Sequence, residues 1–565
     1  MADEATKLTF QDVRTIAADM VASRESWLSK WSELSEFIDP KRGRFNESSP
    51  NDGKKRHSKI YNSTATFAAR TLASGMFSGL TNPSRPWFVL RFEQDELQSN
   101  DAAKRWLQAV ERKIYAALSS EKSNFYPAVQ TLYNELAVFN TAAMFHEDLA
   151  GKDGKQIFKV LTCGTYAIAE GDSGRVDMLY RELWLSAREI LKKYPQTASK
   201  HTRQLVENRT PNMLVKICHL VMPREAYEVG KLGTKNMPFA SFYWEDGAKD
   251  DDGFLDESGF YEFPFHVVRY DTTNEEVYGR GPSEDALADV KSLQEQDKAY
   301  LVAVQQGIDP ALVGPDTFKD RISRAPGAIN RVASILGGAA SDTYKRLFEV
   351  NLDLDHLYQA ILAREDKIRR SFFNDLFFAM VDKPGMTATE VVQRTAEKLL
   401  QLGPVVERQE FELLSPVIER CFRIMERDGV LPHPPEEVAG QNIKVEYVSM
   451  MAQAQRSVAV GSLQGVVQFA GFMAGSVPEV MDRIDTDEAL QQYADTVGAP
   501  LEILRSDDQV SAIREGRRQA QAQQEQAQQA TEAVRAAELM SRTDLSGNNL
   551  LAASMGGGEG AGAGA

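Results

Sequence analysis

Two glycine-containing segments have residue types that could bind phosphate or calcium. Residues 151–156, Gly-Lys-Asp-Gly-Lys-Gln, are similar to a phosphate-binding loop. They lack the required four-residue spacing and a Ser or Thr after Lys155, so a hairpin turn is the better interpretation. Residues 250–253, Asp-Asp-Asp-Gly, are similar to a calcium-binding loop, but alignment on the glycine places Ala248 and Gly259 where Asp and Glu are needed. Neither segment supports the chemistry that its composition suggests.

Histidine and cysteine residues also lack the spacings that metal sites or nucleophiles need. His146-Glu147 has no second His four residues after the first, as a zinc-protease motif requires. Cys218-His219 has no nearby ligand partner. No Ser/His/Asp set and no ATP-binding motif supports catalysis. We therefore expect no catalytic, cofactor-binding or metal-binding residues, and we expect that the protein is not an enzyme.

Composition and charge limit the class of protein. The chain has 565 residues, 42% of them apolar, which is enough for several domains or one elongated subunit. A formal charge of −16 argues against a broad basic surface that grips nucleic acid. Cys163, Cys218 and Cys421 are odd in number and far apart, so we expect a reducing compartment and no disulfide framework.

Residues 279–391 predict a helix, a small lobe and a returning helix. The first helix follows Gly281-Pro282 and ends near residue 306, and the second runs from about 353 to 378. The apolar stripe of the first helix is Ala286, Val290, Leu293, Tyr300 and Val304, and that of the second is Leu354, Leu357, Ile361, Ile368 and Phe372. Asp297 and Glu365 interrupt the stripes. Such narrow stripes bury too little apolar area alone, so we expect neighbouring copies of the chain to complete the packing.

A short loop between two long helices is predicted next. Residues 379–386 contain a turn signal, Asp-Lys-Pro-Gly. Thr387 and Glu390 then have the spacing of a capping box, so a helix is expected to begin there. Gly403-Pro404 predicts the end of that helix and the start of a second, which runs to about Asp428.

These segments resemble the head-to-tail connecting (portal) proteins of short-tailed bacteriophages, the podovirus type. The resemblance rests on Gly281-Pro282, the helix–lobe–helix, and Met-Thr-Ala-Thr-Glu-Val at 386–391. Three segments nearer the N-terminus, at 69–76, 80–83 and 86–88, also resemble segments of that family and occur in the family's order. The resemblance therefore extends over about residues 10–500. The resemblance implies a ring, typically a homododecamer, at one vertex of an icosahedral capsid. Double-stranded viral DNA passes through such a ring during packaging and ejection.

The fold class that the resemblance implies is α+β and mainly helical, with a wing, a long-helix stem, a small α/β clip and a helical crown or barrel. The expected parts are a wing at 1–280, stem helices at 281–306 and 353–378, a clip at 307–352, a tunnel loop at 379–386, further long helices at 387–450, a crown at 451–511, a C-terminal helix at 512–545 and a disordered Gly/Ala tail at 546–565. Within the wing, residues 102–149 predict two helices, strands are expected from about 157, and Phe260 to Tyr270 predicts one strand.

Three sets of residues are the candidate sites. The tunnel loop would present Val381, Asp382, Lys383, Pro384 and Gly385 to DNA. A ring of Lys383 could touch phosphates transiently, or the lysine could only make a turn soluble, and the sequence favours neither. The stem packing residues are Val290, Leu293, Tyr300, Val304, Ile361, Ile368 and Phe372. A basic loop with Lys41, Arg42, Arg44, Lys54, Lys55 and Arg56 is either a solvated loop or a contact with DNA, scaffold or capsid.

The resemblance also implies partners and a location. The partners are further copies of the chain, the double-stranded DNA in the channel, the large subunit of terminase, tail adaptor proteins, and the major capsid and scaffold proteins. The protein would lie in the virion at the portal vertex, and in the host cytoplasm during assembly. The acidic charge suits a wall along which DNA slides, because attraction to many phosphates would produce tight, salt-dependent binding.

An alternative function is a membrane-associated or scaffolding homo-oligomer. Residues 457–478 contain no charged side chain and have two Gly-x-x-x-Gly spacings, which are typical of membrane helices that pack closely. Gln464 and Gln468 would be costly in lipid. A buried helix or helix pair is therefore the favoured interpretation, and no stable membrane insertion is expected.

Overall fold

The structure, a computed structural model, forms two units, Met1–Ser462 and Leu463–Ala565. It describes residues 8–45, 53, 59–84, 86–92, 94, 100–149, 155–225, 227, 233–247, 253–273, 275–308, 312–313, 345–346, 354–375, 402–435, 443–447, 465–473, 485–497 and 507–542.

The first unit combines ten helices in its described residues with short antiparallel sheets. The helices are α1 (Phe10–Phe37), α2 (Thr64–Leu80), α3 (Asp101–Ser119), α4 (Phe125–Phe139), α5 (Ala187–Lys193), α6 (Lys200–Glu207), α7 (Pro282–Ile308), α8 (Leu354–Ser371), α9 (Gly403–Gln409) and α10 (Ser415–Arg427). A π-helical turn, Glu410–Leu414, joins α9 to α10, and a 3₁₀ turn lies at Thr234–Asn236.

The strands form two larger sheets and two ribbons. They are β1 (Phe88–Phe92), β2 (Thr141–Asp148), β3 (Gln156–Leu161), β4 (Tyr166–Glu170), β5 (Val176–Ser186), β6 (Leu214–Pro223), β7 (Phe239–Glu245), β8 (Asp256–Phe260), β9 (Phe265–Arg269), β10 (Leu312–Val313), β11 (Lys345–Arg346) and β12 (Ile443–Tyr447). One sheet has the order β4-β5-β6-β7-β8, another has the order β3-β2-β9, and β1 pairs with β12 and β10 with β11. All of these pairs are antiparallel.

Helix α1 contributes to the two largest apolar cores of this unit. Its first half packs Val13 and Met20 with residues of the five-stranded sheet such as Trp244. Its second half places Trp31 and Leu34 in the largest core, which also contains side chains of α2, α4, α7, α8, α10 and the three-stranded sheet. A smaller core lies under α5 and α6. The three cysteines are free thiols, and all are buried.

The α+β, mainly helical class is confirmed, but one helix prediction and one strand prediction are wrong. Residues 141–148 form strand β2 instead of the end of a helix. Their first six side chains are all buried, so β2 has no alternation of polar and apolar residues to reveal it. Phe260 to Tyr270 is two strands in different sheets rather than one. Pro264 lies between them and accepts a hydrogen bond from His146 N through its carbonyl oxygen, at 2.8 Å.

The second unit contains two helices longer than ten residues among its described residues, α11 (Thr486–Val497) and α12 (Asp507–Arg542). Arg514 of α12 donates two hydrogen bonds to the Asp487 carboxylate of α11, at 2.6 and 2.7 Å. A short helical segment at 465–473 exposes Phe469 and Phe472, at 66% and 82%. In the described part of the chain, no helix has the length and apolar content that crossing a membrane requires.

Candidate functional site: the long-helix pair and its base

The structure describes only some of the candidate residues. The tunnel-loop residues 379–386 lie outside the described ranges, as do Lys54, Lys55 and Arg56 of the basic loop. Within the predicted clip, only residues 307–308 and the pairing of Leu312–Val313 with Lys345–Arg346 are described. The site that can be analysed is therefore the pair formed by α7 and α8, together with the elements that hold its base.

Helices α7 and α8 pack against each other within one chain, and their base is buried there, whereas the sequence predicts packing by neighbouring copies. Val290 and Leu293 of α7 and Ile368 of α8 are fully buried, and Ile361 is 3% exposed. Phe372 is buried just beyond α8, which ends at Ser371 rather than at 378. Phe373 there adopts a left-handed conformation, with φ of 55°, that a continuing helix does not allow.

Polar side chains fix the base of the helix pair to the segment before α2. The buried Gln294 side chain accepts hydrogen bonds from Tyr61 N at 2.7 Å and Asn62 N at 2.9 Å, and donates to Asn62 O at 2.8 Å. Asn62 Nδ2 donates to Glu365 of α8 at 2.8 Å. The Glu365 that interrupts the apolar stripe thus has a structural role, because it connects α8 to the same segment that α7 binds.

Ion pairs connect the two helices near their base, and two aromatic rings approach each other farther out. Asp289 of α7 accepts from Lys367 at 2.6 Å and lies 3.6 Å from Arg364, both on α8. The rings of Tyr300 and Tyr358 lie 6.3 Å apart. These contacts fix the register of the pair.

The end of the helix pair farthest from its base exposes apolar side chains. Residues that are partly or largely exposed there are Leu301 at 50%, Val302 at 43%, Ile308 at 80%, Tyr358 at 47% and Leu362 at 37%. Tyr300 and Val304, two predicted packing residues, are half-buried. The outer half of the pair thus has apolar surface that the described residues of the chain leave uncovered.

The start of α7 is fixed by close contact with Asn140, the left-handed residue after α4. The Asn140 side chain accepts from Ser283 Oγ at 2.9 Å, and Gly279 N donates to Thr141 Oγ1 at 2.7 Å. A Cβ on Gly281 would lie 2.7 Å from Asn140 Oδ1. Glycine is therefore required at position 281 for a steric reason, because a larger residue does not fit between α4 and the start of α7.

The turn between α9 and α10 is attached to the three-stranded sheet by a buried ion pair. Arg269 of β9 donates to Glu412 Oε1 from Nε and Nη2, at 3.0 and 2.7 Å, and its Nη1 donates to Glu170 at 3.0 Å. Burial opposes the charge, but hydrogen bonds and attraction from Glu412 and Glu170 raise the pKa of Arg269. Sequence reasoning missed this pair because no local spacing connects residues so far apart in the chain.

A second buried polar group connects the same sheet to α10. The Cys421 thiol and His146 both contact Gln156 Oε1, at 2.9 and 2.8 Å, and His146 Nδ1 lies 3.0 Å from His266 Nε2. Since Gln156 Oε1 accepts, His146 donates from Nε2 and accepts from His266 at Nδ1. Burial and then the charge of Arg420 lower the pKa of His266 to about 3. Both histidines are therefore held neutral.

The described part of the basic loop is mostly structural. Arg42 donates to Asp39 at 3.2 Å and to the buried Glu135 at 3.1 Å. Arg44 N donates to Cys163 O at 2.8 Å, which attaches the loop to the start of the five-stranded sheet. Lys41 is exposed. These contacts within the chain favour a structural role for Arg42 over contact with a partner.

The comparisons with known proteins agree with this architecture. The chain matches the family of the bacteriophage head to tail connecting protein over residues 11–504. It is 37% identical over 532 residues to a probable portal protein of Bordetella phage BPP-1, with 94% of each chain covered. It is 34% identical over 544 residues to a portal protein of Salmonella phage epsilon15, with 95% and 96% of the two chains covered.

The solved structures that align with this chain at lower similarity come from gene transfer agent particles. A chain from the neck of an empty gene transfer agent particle aligns with a TM-score of 0.38 and 10% identity, over 77% of this chain and 95% of that one. A chain from a native gene transfer agent neck computed with C12 symmetry aligns with a TM-score of 0.34 and 10% identity, over 76% and 94%.

The chain belongs to the bacteriophage head to tail connecting protein family. Its location is therefore the virion, at the connection between head and tail. The resemblance predicted from the sequence is confirmed, and the alternative of a membrane-associated or scaffolding oligomer is not favoured.

Proposed function

We propose that copies of this chain, twelve in number, form a ring whose channel passes double-stranded DNA into and out of the capsid. The observation that carries this proposal is the exposed apolar outer half of the α7–α8 pair. A monomer gains nothing by exposing Leu301 and Leu362, whereas a neighbouring copy would bury them. The pair would then be the stem, and its neighbours in the ring would complete the packing.

The negative charge of the chain supports a channel through which DNA passes without being held. Twelve copies would carry a formal charge of −192, because each carries −16. A wall of that sign repels phosphates, so DNA would slide instead of binding along the channel. Lys383 in the predicted tunnel loop would give brief contacts that the adjacent Asp382 weakens. We propose no catalysis by this chain: its role is mechanical.

The remaining partners follow from the same proposal. Residues 307–352 would form the clip that receives the terminase large subunit during packaging and tail adaptors afterwards. The remainder of the ring would contact the major capsid and scaffold proteins. Residues 512–545 would form the C-terminal barrel of the ring.

Electron microscopy of the purified full-length chain, in negative stain and without detergent, tests the ring. We expect closed rings with a central hole, and counting their subunits gives the symmetry. Monomers or open filaments at both low and high salt would contradict the proposal.

A deletion tests whether the tunnel loop acts on DNA and not on ring assembly. Removal of residues 380–385 should leave the rings intact and impair packaging or retention of DNA. Normal packaging by rings of the deletion variant would contradict a role for this loop.

A further inference from the structure

The helical hairpin of residues 187–209, here the basic hairpin, has a charge opposite to that of the rest of the chain. It consists of α5, α6 and the segments next to them. Its basic residues are Arg188, Lys192, Lys193, Lys200, Arg203 and Arg209, against two glutamates, which gives a net charge of +4. The whole chain has −16, so the residues outside the basic hairpin carry −20. A local reversal of this size marks a surface that attracts anions.

Four of these basic side chains form no ion pair within the described residues, although the charge of Arg188, after the hydrogen bonds from Ser186, helps to lower the pKa of the adjacent Glu189 carboxyl. Arg188, Lys192, Lys200 and Arg209 are exposed, and none forms an ion pair with another described residue. Arg203 instead donates to carbonyl oxygens of its own hairpin, at 2.9–3.2 Å. The carboxylate of Glu189 accepts hydrogen bonds from the backbone N and the hydroxyl of Ser186, and these hydrogen bonds lower the pKa of that carboxyl.

The basic hairpin is a rigid support. The buried Glu245 of β7 accepts from Ser199 N at 2.9 Å and from Thr202 Oγ1 at 2.6 Å, so it holds the start of α6. Ile190 and Tyr194 pack in the small core under the two helices. Arg188 N donates to Pro211 O at 3.0 Å, which places the start of α5 beside the segment that follows Arg209. The backbone that carries the basic side chains is therefore fixed to the sheet.

Arg209 occupies a position where its backbone costs stability. It follows Asn208, which ends α6, and it has a φ of 60°. Glycine is the usual residue at this position, because it adopts the left-handed conformation without steric strain. Because the arginine is less stable there than a glycine would be, we infer that its guanidinium has a role other than stabilising the fold.

We propose that the basic hairpin binds the phosphate backbone of duplex DNA without sequence preference. This inference rests on the proposed function in one respect, that the protein meets duplex DNA. Each of the two helices is about 10–12 Å long, a length over which duplex DNA presents several phosphates. Two exposed apolar side chains, Met213 and Leu214, lie beside the start of α5, but within 187–209 no large apolar side chain is exposed, so the hairpin itself suits phosphates.

Binding of a short fluorescent DNA duplex to the full-length protein, measured across salt concentrations, tests the proposal. The hairpin variant replaces Arg188, Lys192, Lys200 and Arg209 with Gln. A control variant replaces Arg105, Arg112, Lys113 and Lys122 with Gln, which are exposed and give the same change in charge. We expect the hairpin variant to lose affinity and about 0.9 of the salt slope for each phosphate contact removed. The control should bind like the wild type.

Two results would overturn the proposal. One is equal DNA binding by the wild type and the hairpin variant. The other is binding of polyglutamate but not DNA by the wild type, which would assign the surface to an acidic protein partner. Ring formation and packaging are not needed for either measurement, so a failure here is distinct from a failure of the proposed function.

A single substitution separates binding from folding. Arg209→Gly removes the charge and relieves the backbone strain, so we expect weaker DNA binding with a thermal midpoint equal to or above that of the wild type. Arg209→Lys should restore binding while keeping the strain. A lower thermal midpoint in Arg209→Gly would show that the arginine has a structural role and would overturn this part of the proposal.

Discussion

Arg269 and Glu412 form an ion pair in which both side chains are almost fully buried, with exposures of 2% and 3%. Arg269 also donates its backbone N–H to the other carboxylate oxygen of Glu412, at 2.8 Å. Glu412 lies in the π-helical turn between α9 and α10. The pair therefore joins β9 to the turn between α9 and α10.

Loss of the Glu412 charge should destabilise the fold strongly. Glu412→Gln leaves a buried guanidinium with Glu170 as its remaining carboxylate partner within the described residues, and Glu170 is 31% exposed. Breaking a buried pair from one side costs about 3–5 kcal/mol, and we expect a loss near the lower limit. Chemical denaturation monitored by circular dichroism measures it. Glu426→Gln, which removes an exposed pair with Arg423, should change stability by about 0.5 kcal/mol or less.

Gly281 should not tolerate even a methyl group. In Gly281→Ala the new Cβ would lie 2.7 Å from Asn140 Oδ1 and 2.8 Å from a ring carbon of Tyr270. We expect a lower thermal midpoint, because α7 must shift away from α4. Gly307→Ala is the matched control, since nothing lies within 4 Å of a Cβ there. Alanine in that exposed helical position should stabilise the protein slightly, by up to about 1 kcal/mol. Equal midpoints for the two variants would contradict the steric explanation.

The exposed end of the helix pair should be needed for assembly and not for folding. Leu301→Gln with Leu362→Gln changes residues that are 50% and 37% exposed. We expect an unchanged midpoint for the monomer and a loss of rings in mass photometry. Met213→Gln with Leu214→Gln is a control of similar exposure, 57% and 42%, away from the helix pair. Rings that persist in the Leu301 and Leu362 variant would argue against a subunit contact there.

Stability should depend on pH through the buried histidine pair. The pKa of His266 is about 3 in the folded protein and about 6.5 when unfolded, so its contribution is present above pH 6.5 and is lost as pH falls towards 3. As the pH falls from 6.5 to 3, the free energy of unfolding should decrease less steeply in His266→Gln than in the wild type. The two slopes should differ by up to about 1.36 kcal/mol per pH unit. Denaturation at several pH values measures this slope. His201→Gln, at an exposed site, should keep the wild-type slope.

Features that depend on neighbouring residues could be predicted from the sequence. The start of α7 after Gly281-Pro282 and the burial of Val290, Leu293, Ile361 and Ile368 agree with the periodicity of the sequence. The class and family also followed from an ordered set of short motifs. In these cases the determining information lies within a few turns of helix.

Features that depend on distant parts of the chain could not be predicted. Strand β2 is buried on both faces, so its pattern does not distinguish it from a helix. The role of Glu365 requires Asn62, and that of Arg269 requires Glu412, which are 303 and 143 residues away. The basic hairpin is visible as a run of charge, but only the fold shows that four of its cations form no ion pair with the described residues and that Arg209 has a left-handed backbone.

The burial of all three thiols affects how the protein can be observed. Burial raises the pKa of Cys218 to about 12, and it raises the pKa of Cys163 and that of Cys421 as well. Since the thiolate is the reactive form, these residues should be inert towards maleimides at neutral pH. A cysteine placed at Arg370, whose side chain is 72% exposed, would carry a single dye per subunit without removal of any native cysteine. Energy transfer between such dyes could then report whether the helix pairs spread apart as DNA passes.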